Sequence, residues 1–344
     1  MAEYIGGEFG RKLLTLPKNI QQEDVHIRYT MSGRTAMHLI MQDILIQRNI
    51  HSVLMPSYCS RSMVEPIVSC GISVEFYKVF LSDNGISFDY PYNNSCDGIV
   101  LMDYFGFCSN EIVKIANIER RNGKCIVIDK TQSFFCNQNY EEIADYTLVS
   151  FRKWFPVNLA QAYANKGFVI PELTKINKKY ETLRSKVFEI KYSKGHCEDL
   201  IERCDELLRN DYKWYGCSET ELAYFKSLNF KNIINIRRNN AQYLINKIID
   251  LKTPQISLIY NTVNDNDCPL YVPVVVNPLL DRNYLSTALL TKKIECYIHW
   301  RLSPYHDCSY SNDILYTSEL SLFCDQRYTI DDMDYIVTSI MEIK

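Results

Sequence analysis

Asp129 and Lys153, with Gln132 and Ser150 between them, are the residues of this chain whose types and spacing carry the most chemistry. The apolar run from Cys125 to Ile128 predicts a buried parallel strand, and a carboxylate ends it. A second apolar run, Tyr146 to Val149, ends in Ser150, Phe151, Arg152 and Lys153. In α/β sheets, ligands sit beyond the carboxyl ends of the strands. An acid and an amine delivered there by two strands suit a site for pyridoxal phosphate (PLP). That group needs a lysine for its Schiff base and an anion beside its ring nitrogen.

Each residue also has a plainer reading. A strand-end aspartate often caps the next helix; Gln132, three residues after Asp129, favours the cofactor, because its amide suits the ring 3-oxygen. A lysine is commonly a surface residue, but Lys153 lies between a buried strand and the pair Trp154–Phe155, where desolvation or a neighbouring cation such as Arg152 activates an amine. Its rivals are Lys166, read as a hairpin residue, and Lys130, which points away. A phosphate needs N–H donors at a helix start, which Ser32, Gly33, Arg34 and Thr35 offer, although most lone glycines only make turns. The Ser150 hydroxyl serves the same phosphate or a strand-end turn. Tyr58 is the available ring to stack on a pyridine face, and equally a core tyrosine. Tyr104 and Phe105 close another strand and suit a pocket wall. His299 and Arg301 lie in ECYIHWRLSPYHDC, a polar and aromatic loop suited to a sugar or nucleotide rim, although a lone histidine in an apolar stretch is more often a core residue.

Those residues need a scaffold, and the hydrophobic pattern supplies one. Met37, Ile40, Ile44 and Leu45 recur at helical spacing and predict a helix over 35–47. Strands are predicted at 51–55, 73–79, 98–102, 124–128, 146–150 and 167–170, with helices at 62–70 and 110–121 between them. This alternation implies an α/β class, with a mostly parallel, seven-stranded-type sheet covered by helices. From about 172 to 240 the pattern is helical. Strands return at 256–260 and 270–276, followed by helices at 283–292 and 330–341. The expected division is a large lobe, 1–240, carrying the site, and a smaller α+β lobe, 241–344.

Bulk properties narrow the function. At 344 residues the chain is long enough for a large core. Apolar residues make up 47% and charged residues 23%, and the net charge of −3 gives no field that attracts nucleic acid or an acidic membrane. The thirteen cysteines form no CxxC pair, and MAEYIGGEFGRKLL lacks an apolar leader core, so the thiols are expected to be reduced and the protein cytoplasmic. No run is long enough to span a membrane. No metal cluster, Walker loop or dinucleotide fingerprint occurs.

In order along nearly the whole chain, several segments resemble the DegT/DnrJ/StrS family of sugar aminotransferases, enzymes of the fold-type I PLP architecture. SGRTAMHLIM is similar to the family's SGTAALHLAL segment, CIVIDKTQSF to its Asp-x-x-Gln strand end, and ADYTLVSFRKW to the strand bearing serine and the Schiff-base lysine. ECYIHWRLSPYHDC and LSLFCDQRYTIDDMDYIVTSI resemble its late loop and closing segment. The resemblance implies a homodimer with shared active sites, a nucleotide-diphosphate keto-sugar as acceptor and an amino donor such as glutamate. It also implies that Lys153 holds PLP and shuttles a proton, that Asp129 keeps the ring nitrogen protonated, and that Gln132 bonds the 3-oxygen. The phosphate falls to the amides of Gly33, Arg34 and Thr35 and to the Ser150 hydroxyl.

Three departures accompany the match. The lysine follows the serine by three residues rather than the family's five (SFHPTK), a spacing common elsewhere among fold-type I enzymes. The glycine-rich stretch after the lysine reads NLAQAYANKG, and the family's stacking aromatic falls at Ser60. The alternatives are a PLP-dependent sugar dehydratase, against which Lys153 argues because dehydrating members can carry histidine there, and a degenerate member that binds a nucleotide sugar without turnover.

Overall fold

The computed structural model describes residues 2–12, 24–193 and 195–343. Leu13 and Leu14, the end of the stretch read for a leader, lie outside these residues.

The strands that carry the site are short and mostly apolar, with a polar residue at the end of β6 and of β7. The large sheet is built from β1 (Ile27–Thr30), β2 (Ser52–Pro56), β3 (Ser73–Ser82), β4 (Gly85–Asp89), β5 (Gly98–Met102), β6 (Cys125–Asp129), β7 (Tyr146–Ser150) and β8 (Ala160–Ala164). All five residues of both β5 and β6 are buried, as expected of strands covered on both faces. The order is β1-β8-β7-β6-β5-β2-β3-β4. The pairs β3/β2, β2/β5, β5/β6 and β6/β7 are parallel. The edge pairs β7/β8, β8/β1 and β3/β4 are antiparallel.

The sheet therefore has eight strands, with a parallel centre and antiparallel margins. The strand expected at 167–170 is not formed. Gly167 turns at φ +80, and the N–H groups of Val169 and Ile170 bond to Asp43 Oδ1 at 2.9 and 3.0 Å instead. The strand pairing with β7 lies earlier, at β8, whose AQAYA sequence is too small and polar to read as a strand.

Helices α1 (Gly33–Arg48), α2 (Arg61–Val68) and α3 (Asn110–Arg121) connect the large-sheet strands. Ser32 starts α1 by accepting the Thr35 N–H on its hydroxyl, and Asn49, in the left-handed region at φ 49, ends it. Helices α4 (Lys178–Tyr192), α5 (Glu198–Asn210) and α6 (Glu219–Lys226) follow, and α7 (Phe230–Leu251) leads to the small sheet. That sheet has the order β11-β10-β9, formed by β9 (Ile256–Leu258), β10 (Tyr271–Val276) and β11 (Glu319–Phe323), all antiparallel. Helices α8 (Arg282–Thr291), α9 (Ile314–Thr317) and α10 (Ile330–Met341) complete the chain.

The two sheets are tied at the point that matters for the site. Arg237 of α7 is fully buried, donates to Gln326 Oε1 at 2.7 Å and lies over the Trp154 ring. Gln326 in turn donates to the carbonyl of Trp154, next to Lys153, at 2.9 Å. All thirteen cysteines are unpaired, and most are buried.

Candidate functional site

A cavity of about 820 Å³ opens where β5, β6 and β7 end, with the small sheet as its far wall. It brings together Gly33, Arg34, Asp129, Gln132, Ser150, Lys153, His299 and Arg301. This is the location the strand-end rule specifies.

Asp129 is 4% exposed, and its Oδ1 accepts the Thr131 N–H at 2.7 Å. Burial pushes its carboxyl up to about 6, and the Thr131 hydrogen bonds only partly counter this. Among the described residues no basic side chain pairs with it. A buried carboxylate without a counter-charge, facing a cavity, is a receptor for a cation.

Thr131 was missed by the sequence reading, and it organises the site. Its hydroxyl oxygen accepts the Ser150 N–H at 3.0 Å, and its carbonyl accepts the Trp154 indole N–H at 2.8 Å. One residue thereby locks the ends of β6 and β7 to each other. The signal was its place between the Asp and Gln of the Asp-x-x-Gln pattern.

Gln132 is 5% exposed, and its Oε1 accepts the Phe105 N–H at 2.7 Å. That bond orients the amide and leaves its NH2 as the outward donor. Phe105 sits in the left-handed region at φ 59, followed by Gly106 at φ 87. A Cβ at Gly106 would come within 2.2 Å of the Cys268 carbonyl oxygen, so only glycine lets this turn meet the chain leading into β10.

Gly33 and Ser150 also touch. A Cβ on Gly33 would lie 2.9 Å from that of Ser150. The N–H groups of Gly33 and Arg34 belong to the first turn of α1 and have no intrahelical acceptor. With the Ser150 hydroxyl they converge on one wall of the cavity, a ready anion site.

Lys153 ends a short 3-10 turn, Phe151–Lys153, after β7. Its Nζ donates to the Tyr297 hydroxyl at 3.1 Å. Arg152 is drawn the other way, to Asp205 at 3.5 Å and Glu8 at 3.8 Å, so its charge is largely compensated. Trp154 and Phe155 point into a cluster with Phe134, Phe135 and Phe230 and do not cover the amine. The activating surroundings expected of Arg152, Trp154 and Phe155 are not what the structure places around Lys153; the Tyr297 phenol is.

Four expected residues do not line the cavity. The Thr35 side chain is 1% exposed, and its hydroxyl donates to the Tyr212 carbonyl at 2.7 Å, which binds α1 to the 211–216 loop. Tyr58 is 1% exposed and spends its hydroxyl on Glu319 Oε2 at 3.2 Å, so it does not stack on a ligand in the cavity. Tyr104 donates to the Tyr58 carbonyl at 2.6 Å and Phe105 is fully buried. Each lies one layer behind the wall, because strand-end turns return their aromatic side chains to the core. The Arg34 side chain is held by Glu65 at 3.3 Å and the Leu208 carbonyl at 3.0 Å, leaving its backbone as the cavity donor.

His299, 2% exposed, has Nδ1 3.4 Å from Glu319 Oε2 and 3.3 Å from the Ser321 hydroxyl. Ser321 donates to Glu319 Oε1 at 2.7 Å. Glu319 is wholly buried in a strand reading ELSLF, and nothing local in the sequence marks it as the partner of His299. Arg301 is exposed on the cavity rim.

The residues present fit PLP. The lone carboxylate of Asp129 suits a protonated ring nitrogen, the α1 start with Ser150 suits a phosphate, and Lys153 supplies the amine. No group of metal-ligating side chains occurs among the described residues.

No protein-family model matches the chain, and no curated protein sequence matches it. Solved structures do match in three dimensions. An aminotransferase of the DegT DnrJ EryC1 StrS group from Brucella abortus is 14% identical, over 92% of this chain and 85% of that one, with a TM-score of 0.60. PseC of Helicobacter pylori, an aminotransferase involved in the biosynthesis of pseudoaminic acid, is 13% identical over 92% and 86%, with a TM-score of 0.65. Spr1654 of Streptococcus pneumoniae in its PLP form is 15% identical over 92% and 86%, at 0.62. At such identities likeness speaks for architecture: this chain has the fold of the DegT/DnrJ/EryC1/StrS aminotransferases.

Proposed function

We propose that the protein is a PLP-dependent aminotransferase that moves an amino group, from glutamate, onto a nucleotide-linked keto-sugar. The observation that carries this reading is the buried, unpaired carboxylate of Asp129 in the same cavity as the amine of Lys153. The structural neighbours include sugar-pathway aminotransferases and one solved with PLP, which supports both the reaction and the cofactor.

Bound PLP supplies an electron sink for the pair released when a Cα–H bond breaks. Asp129 would hold a proton at the ring nitrogen. Gln132, its oxygen fixed by Phe105, offers its NH2 to the 3-oxygen. Gly33, Arg34 and Ser150 would hold the phosphate. Lys153 Nζ would take up and return the proton of the substrate carbon. Exposed Arg61, Arg209 and Arg301 at the rim suit the diphosphate of a nucleotide sugar. We infer further that the protein works as a homodimer with a shared site, in glycan synthesis. The thirteen unpaired thiols support a reducing, cytoplasmic setting.

The test is spectroscopic. Protein mixed with PLP should acquire a Schiff-base absorption that borohydride traps on Lys153. Lys153→Ala should lose it and Lys166→Ala should keep it. Glutamate should then convert the bound group to its amine form. Protein that takes up no PLP would overturn the reading.

A further inference from the structure

Tyr297 is the only described residue hydrogen-bonded to the Lys153 amine. The Nζ donates to its hydroxyl at 3.1 Å and lies 4.9 Å from the centre of its ring. The contact joins the two halves of the site, since Lys153 follows strand β7 of the large sheet and Tyr297 is bound to the small one. The Tyr297 backbone is fixed by two bonds to Ser321 of β11, at 3.0 and 2.9 Å. Its ring is fixed as well: it stacks on Tyr271 at 5.5 Å and 8°, and meets His299 edge-on at 4.8 Å. The phenol is thus held by backbone and neighbours and presents its oxygen to a lysine that has four rotatable bonds. Of the two partners, the tyrosine is the rigid one.

A lysine that forms and breaks a covalent bond in each cycle must spend part of that cycle as a free amine. A flexible ammonium left unheld would sample the open cavity and return to the reacting carbon only by chance. We propose that Tyr297 is the positioning residue for Lys153. Its phenol receives the amine whenever that nitrogen is not covalently engaged and holds it at the cavity wall, ready to re-engage. The role in turnover rests on the aminotransferase reading above; the contact itself does not.

The experiment starts with the unloaded protein. Wild type, Tyr297→Phe and Tyr271→Phe are exposed to limiting acetic anhydride, and modification at Lys153 and Lys166 is followed by peptide mass spectrometry. Tyr297→Phe keeps the stacked ring and removes only the hydroxyl. It should raise labelling at Lys153 by up to about tenfold, the factor one hydrogen bond is worth, with Lys166 unchanged. Tyr271→Phe should leave both rates as in wild type. An unchanged Lys153 rate in Tyr297→Phe, or an equal rise in Tyr271→Phe, would overturn the proposal. The second readout is PLP uptake: Tyr297→Phe should condense with PLP more slowly than wild type, and an equal rate would refute the re-engagement role. Failure of wild type to take up PLP would instead strike the functional reading, because the labelling result needs no cofactor.

Discussion

Asp129 is costly to the unloaded protein. Its carboxyl rises to about 6 in the fold from an ordinary value near 4, so the folded form binds this proton more tightly than the unfolded chain does. The resulting stability is fully present below about pH 4 and is lost as pH rises through 6. Asp103, buried behind the β5 end, is pushed up to about 7 by burial and acts in the same direction. Urea denaturation of unloaded protein should show stability falling between pH 4 and 7. Asp129→Asn should recover on the order of 2–3 kcal/mol above pH 6, and should weaken PLP function. A variant no more stable than wild type at pH 7.5 would contradict this account. His299 bears on packing at the small sheet. His299→Ala takes the imidazole from beside the wholly buried Glu319, which keeps its bonds from Tyr58 and Ser321, and should cost about 1–3 kcal/mol, whereas His299→Ala combined with Glu319→Gln should cost little more than the single change. Denaturation midpoints of the single and double variants would decide. Asp129, Gln132, Ser150 and Lys153 were readable because each stands at or just beyond the end of an unmistakable strand. Tyr297 and Glu319 were not. Tyr297 is 144 residues from the lysine it holds, and Glu319 is 20 from its histidine, so only the folded chain brings these pairs together.

At the scale of elements, the central strands were legible and the margins were not. β5, β6 and β7 are short apolar runs between helices, the pattern of a parallel strand buried on both faces. β1 reads IRYT and alternates in burial, as an edge strand does, and β4 reads GISFD after a tight turn; neither has the apolar run that signals a strand. β8 escapes the sequence pattern because three alanines and a glutamine carry little strand signal. The junction of α1 with β7 carries a prediction. Gly33→Ala places a Cβ 2.9 Å from Cβ of Ser150, which sits on fixed backbone and cannot swing aside. The helix start must shift, at a cost of about 1–3 kcal/mol. The phosphate contacts proposed for both residues should loosen, lowering PLP affinity more than the melting temperature. Unchanged affinity in a titration would show that the two residues do not share a ligand.

Across the whole molecule, residues 2–12 act as a strap. Arg327 donates to the carbonyls of Gly6, Gly7 and Glu8, while Glu8 pairs with Arg184 at 3.0 Å and Arg152 at 3.8 Å. Burial opposes the Glu8 charge, but Arg184 and then Arg152 outweigh it and hold the carboxyl down at about 2. Its contribution is therefore present above about pH 4.5 and lost on acidification toward 2, opposite in sense to that of Asp129. Glu8→Ala leaves the fully buried Arg184 without its carboxylate and should cost about 2–3 kcal/mol at pH 7, and less at pH 3. Equal losses at both pH values would show that Glu8 acts through packing alone.

The distribution of thiols has a practical use. Cys308 alone among the thirteen is exposed, four residues past Pro304 on the cavity wall. A maleimide fluorophore at low stoichiometry should settle there first. Its emission would then register, in real time and without any chromophoric substrate, when a molecule fills the neighbouring hollow.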